Sequence, residues 1–210
     1  MKIPEGFTIT SEACTLYYDS GKKLPEYLVS AIYDAVKRIE AQTGKKFGGD
    51  SKPLLVSVRS GARVSMPGMM DTILNLGLND TTAAALTRET KNERFAFDSY
   101  RRFILMFTNI AKGHPRTEMD KMLEALKESK GYKLDTEVTA DELKDLVAKY
   151  KAYYKKTFGE DFPSDPKEQL IEVTAVFRSW DNPRANVYRM MNNIPYSWGT
   201  VNVQSMAFGN

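Results

Sequence analysis

Two arginines, two serines and two glycines crowd into the ten residues Arg59-Ser60-Gly61-Ala62-Arg63-Val64-Ser65-Met66-Pro67-Gly68. Such a run suits an oxygen-rich anion. Small residues let backbone N–H groups approach a ligand, and a guanidinium offers fixed, paired donors that match phosphate. The glycine spacing fits neither the phosphate loop of P-loop nucleotidases nor the dinucleotide-binding pattern, so the motif alone specifies an anion cradle and no particular reaction. A solitary Arg-Ser-Gly would as readily be a strand-end arginine in a surface ion pair.

Other reactive side chains are sparse. Cys14 is the single cysteine, which excludes an internal disulfide, fits a reducing compartment and reads as a small core residue. His114 is the single histidine and reads as an exposed loop residue; no His/Cys cluster has metal-ligand spacing. Asp71 invites a magnesium role but reads better as a structural acceptor beside the loop. Arg101, Arg102 and Arg178 suit domain contacts or a phosphate site, and solvated helix positions explain the first two equally well.

The elements that must position these residues follow from periodicity. A strand at Phe7 to Thr10 precedes a short helix capped near Ser11; a longer helix has Pro25 in its first turn, Leu28, Ile32, Val36 and Ile39 on one stripe, and Gly44 at its end. Leu54 to Val58 reads as a strand that turns into the arginine-bearing loop. From Asp80 to about Pro163 the pattern is helix after helix, with a capping box at Thr139 to Glu142. Asp165 and Asn182-Pro183 begin further helices, and Thr200 to Phe208 alternates Val201 and Val203 against Asn202, Gln204, Met206 and Phe208. The expected fold is α/β in the α+β sense: residues 1–79 an α/β part, 80–163 a helical insertion, 164–210 a return to the sheet.

With 210 residues and 42% hydrophobic content, the chain can bury a substantial core. A net charge of +3 from 30 basic and 27 acidic residues gives no concentrated basic field, which argues against nucleic acid. No apolar run reaches the roughly 20 residues of a membrane span and no signal-like segment opens the chain. The expectation is a cytoplasmic protein with neither membrane nor nucleic-acid partner.

Four stretches, in order, resemble the nucleotide-binding domain of pyruvate, phosphate dikinases: Ser57 to Asp80, which contains Ser65-Met66-Pro67-Gly68-Met69-Met70-Asp71-Thr72; Asp98 to Phe103; Ala175 to Ala185, with Trp180 and Arg184; and Trp198 to Asn210. Water-using phosphoenolpyruvate synthases share the strand and its Arg-Ser but lack Ser65 to Thr72 in their pattern. The resemblance implies the first part of an ATP-grasp domain with a helical insertion. It implies that Arg59 contacts nucleotide phosphates and stabilises charge during phosphoryl transfer. Ser65, Met66, Pro67 and Gly68 would close over the phosphates, whereas Met69 and Met70 read, apart from the resemblance, as ordinary methionines filling the core. Gln204 and Met206 fall where the family's sheet meets adenine, although a plain half-buried strand explains them equally well.

The same resemblance implies ATP and Mg2+ as ligands, the metal ligands lying beyond Asn210, a phosphate-contacting lysine before Met1, and a phosphohistidine on a separate domain. Both ends therefore read as cut, the segment alone as inactive, and the full-length enzyme as a homodimer. Two alternatives stay open: a fragment of a water-using synthase, or a noncatalytic nucleotide-binding or interaction module.

Overall fold

The protein is described by a computed structural model, which covers residues 3–62, 64, 66, 71–181 and 183–208. The chain opens with β1 (Gly6–Ile9) and α1 (Ser11–Asp19), followed by α2 (Glu26–Thr43). Pro25 sits at the N-cap of α2, and Gly44 ends it in the left-handed conformation, φ 65°. The short strands β2 (Lys46–Phe47) and β3 (Pro53–Leu54) pair in parallel. Then come β4 (Val56–Ala62) and β5 (Thr72–Leu76).

Four helices follow: α3 (Asp80–Thr90), α4 (Glu93–Ile110), α5 (Thr117–Lys130) and α6 (Ala140–Phe158). The expected capping box is present. Thr139 Oγ1 accepts from the Glu142 N–H, and Glu142 Oε2 accepts from the Thr139 N–H at 2.9 Å. Asn79 and Thr82 form a second box at the start of α3. The helices are held by aromatic packing: Phe162 meets Phe107 at 5.2 Å and Tyr154 at 5.3 Å between ring centroids, both near edge-to-face. The chain then returns through α7 (Pro166–Val173), a 3-10 segment (Thr174–Asp181), α8 (Pro183–Met191) and β6 (Gly199–Ser205).

The sheet order is β1-β6-β4-β5, and every neighbouring pair is antiparallel. One face carries Ile9, Val56, Val58, Val201 and Val203, none more than 6% exposed, and forms the core with Ile73. The opposite face carries Thr8, Arg59, Gly61, Thr200, Asn202 and Gln204. On β1, β4 and β6 it is polar or glycine, whereas β5 adds Thr72 and Leu74.

Two local expectations change. The strand expected to end at Val58 runs on to Ala62, because β6 supplies a partner for every residue from Val56 to Ala62. Tertiary pairing thus overrides the weak strand preference of Arg-Ser-Gly-Ala. Leu54 belongs instead to β3, and Arg59 lies inside a strand rather than in a loop.

Candidate functional site

Arg59 sits in the third strand of the sheet, flanked by Asn202 of β6 on one side and Thr72 of β5 on the other. Its side chain is exposed on the polar face and forms no ion pair or hydrogen bond among the described residues. With Gly6, Thr8, Asn202 and Gln204 it lines an open cleft of about 340 Å3. No acidic residue lines that cleft among the described residues. A permanent cation without a carboxylate partner, over a surface of amides and hydroxyls, is suited to an anion.

Small side chains make this surface accessible. A Cβ added at Gly6 would lie 2.5 Å from the Val203 carbonyl oxygen, and one at Gly61 would lie 2.6 Å from Asn202 Nδ2. The Gln204 side chain is partly engaged: its Nε2 donates to the Pro4 carbonyl at 3.0 Å, tying the approach to β1 onto β6.

Met206 shares none of this. Its N–H donates to the Leu55 carbonyl, and its side chain faces a larger cleft of about 670 Å3 with Leu74, Asn75, Phe95, Met106 and Phe208. Gln204 and Met206, expected to act together, therefore line different clefts. Met66 is 4% exposed and packs in the core rather than lining a phosphate site. Ser65, Pro67, Gly68, Met69 and Met70 lie outside the described residues.

The remaining candidates separate cleanly. Asp71 accepts from both the N–H and the hydroxyl of Ser60 through its backbone carbonyl, each at 3.1 Å, while burial pushes its carboxyl above the usual range. Among the described residues no group of three His, Cys, Asp and Glu side chains is placed to hold a metal ion. Arg101 is not a solvated helix residue: its side chain is 5% exposed and bridges Asp98 and Asp135. Arg102 pairs with Asp98 at 3.0 Å. His114 is half-buried rather than exposed, with Nε2 2.8 Å from the Tyr153 hydroxyl and its ring against Phe158. Nothing in the arginine's own neighbourhood of sequence points to Asn202, which the register brings opposite it.

No helix among the described residues is long and apolar enough to cross a membrane. An antiparallel sheet that buries one face and exposes an arginine without a described partner on the other, with helices inserted between its strands, defines a mixed α/β domain.

Residues 20–210 match the family described as pyruvate phosphate dikinase, AMP/ATP-binding domain, and the chain belongs to that family. It is 57% identical to the pyruvate, phosphate dikinase of Clostridium symbiosum over 100% of this chain and 24% of that protein. The identity is 53% to chloroplastic pyruvate, phosphate dikinase 1 of Zea mays and 52% to the chloroplastic enzyme of Flaveria trinervia, each over 22% of the relative. The chain thus spans about a quarter of the length of these relatives, and it matches their N-terminal part.

Proposed function

We propose that this chain is the nucleotide-binding segment of a pyruvate, phosphate dikinase, and that Arg59 binds the phosphates of ATP. The observation that carries the reading is the Arg59 guanidinium, exposed without a partner among the described residues on a polar sheet face free of lining acids. Family membership supplies the nucleotide. In the whole enzyme ATP transfers a pyrophosphoryl group to a histidine on another domain, releasing AMP. Inorganic phosphate removes the outer phosphoryl as pyrophosphate, and the remaining phosphohistidine passes its phosphoryl to pyruvate to give phosphoenolpyruvate. Reverse flux follows the same steps.

Arg59 acts only on the first of these. Its fixed positive charge holds the phosphate chain and stabilises the charge that develops as the pyrophosphoryl group moves. Ser65, Pro67 and Gly68 are proposed to close over the same phosphates, while Met66 packs in the core. Gln204 is proposed to border the nucleotide from β6. Met206, from its own cleft, is proposed to face the adenine. Among the described residues no group of three His, Cys, Asp or Glu side chains is placed to hold a metal ion, and no step is assigned through magnesium. The proposal includes the division at residues 79/80 and 163/164, a cytoplasmic enzyme and a homodimeric full-length protein.

Calorimetric titration of ATP into this chain and into Arg59→Ala tests the reading. Weak binding that the substitution abolishes supports it. Equal binding by both proteins would overturn it.

A further inference from the structure

The polar face holds a second donor with no use in the fold alone. Asn202 stands directly across from Arg59 on β4 and directly across from Thr8 on β1, so the three side chains form one row over three adjacent strands. A carboxamide has one accepting end and one donating end. Here the accepting end is occupied: Thr8 Oγ1 donates to Asn202 Oδ1 at 2.8 Å. That bond fixes which way the amide points. Its Nδ2 end lies over Gly61, where a Cβ would come within 2.6 Å of it and within 2.7 Å of Thr200 Oγ1. The absence of a side chain at Gly61 is therefore what lets the Asn202 amide and the Thr200 hydroxyl rest above β4.

Among the described residues Nδ2 has no acceptor. Its two N–H groups stand beside an unpaired guanidinium in a cleft whose described lining includes no carboxylate. Donors gathered in this way without acceptors match the oxygens of a phosphate chain.

We propose that Asn202 is a second phosphate-binding residue of the nucleotide site, donating from Nδ2 beside Arg59, and that Thr8 is the positioning residue that orients it. The proposal rests on the reading of Arg59 as a phosphate ligand. The ligand class is the phosphate chain of a nucleoside triphosphate. Asn202→Asp keeps the shape, replaces the donor with an acceptor and sets a negative charge against the incoming phosphate. Thr8→Val keeps the volume and removes the orienting hydroxyl, while Thr8→Ser retains it.

The test uses a full-length dikinase carrying this segment, with ATP-dependent AMP release, pyruvate–phosphoenolpyruvate exchange and thermal unfolding measured for each variant alongside Arg59→Ala. Asn202→Ala and Asn202→Asp should lower kcat/KM for ATP by about tenfold to a hundredfold, the range for a lost hydrogen bond to a charged group, and leave exchange unchanged. Thr8→Val should move kcat/KM in the same direction, Thr8→Ser should behave as wild type, and Thr8→Val combined with Asn202→Ala should be no worse than Asn202→Ala alone. Wild-type ATP kinetics in the Asn202 variants beside a damaged Arg59→Ala would overturn this proposal and leave the Arg59 reading intact. An undamaged Arg59→Ala would overturn both. Equal losses in the two half-reactions with a lowered unfolding temperature would reduce Asn202 to a tie between β1 and β6.

Discussion

The side-chain amide of Gln169 is wholly buried and accepts a hydrogen bond from the backbone N–H of Gly77 at 3.1 Å. Its Nε2 donates to the carbonyls of Leu78 at 2.9 Å and Pro163 at 2.8 Å. One side chain on α7 thus ties together the point where the chain leaves the sheet for the helices and the point where it comes back. Gly77 can take no substitute here, since its φ is 107° and a Cβ would meet Phe47 and the Leu54 carbonyl at 3.0 and 3.1 Å.

Gln169→Leu keeps the size of the side chain and orphans one backbone donor and two acceptors, at about 1–3 kcal/mol for each group left buried and unpaired. Urea unfolding should therefore show a large fall in stability, and Gln169→Glu should recover only part of it. A Leu variant as stable as wild type would mean that water satisfies these groups.

Gly199 starts β6 against two buried side chains: a Cβ added there would lie 3.0 Å from Trp180 Cγ and 3.1 Å from Cys14 Sγ. Trp180 and Cys14 are each 1% exposed and have little room to give way. Gly199→Ala should destabilise the protein by about 1–3 kcal/mol through overpacking, and Gly199→Ala with Cys14→Ala should recover part of that loss. Thermal unfolding of the single and double variants measures it.

The Cys14 thiol is 1% exposed, and burial pushes its pKa up to about 12, with Arg189 drawing it slightly the other way. Because the thiolate is the reactive form, a folded chain should resist Ellman's reagent at pH 8 and react fully after addition of guanidinium chloride. Rapid labelling of the native protein would contradict the packing of α1 against β6.

Burial alone would raise the Asp135 carboxyl, but the Lys127 ammonium and the Arg101 guanidinium more than offset it and hold the group below its ordinary 3.8. A folded-state pKa below the unfolded value gives stability that is full above the ordinary carboxylate range and is lost as pH falls through the folded value. Asp135→Asn should lower the unfolding temperature at pH 7, and the gap from wild type should close as pH drops below 3.8. A gap independent of pH would show that charge contributes nothing there.

What the sequence discloses is local. The Thr139–Glu142 box, the Gly44 stop and the Val201/Val203 alternation depend on neighbours within a few residues, and each appears as expected. Arg59 reads as a loop residue because β6, the strand that pairs with every residue from Val56 to Ala62, lies about 140 positions away along the chain, and Ser-Gly-Ala offers little intrinsic strand preference. The same distance hides the Asn202–Arg59 pairing: alternation places Asn202 on the outer face, but only the sheet order gives it a partner. Nothing in the sequence marks Gln169, around which the tertiary structure brings three backbone groups. His114 reads as exposed because Gly113 and Pro115 flank it; its cover comes from Tyr153 and Phe158, on a helix some 40 residues later.

On this account Arg59 serves the nucleotide and nothing else. In a full-length dikinase carrying this segment, Arg59→Ala should slow ATP-dependent AMP release by about 2–4 kcal/mol of transition-state stabilisation, while exchange between pyruvate and phosphoenolpyruvate proceeds at the wild-type rate. Equal damage to both half-reactions, or damage to neither, would contradict it.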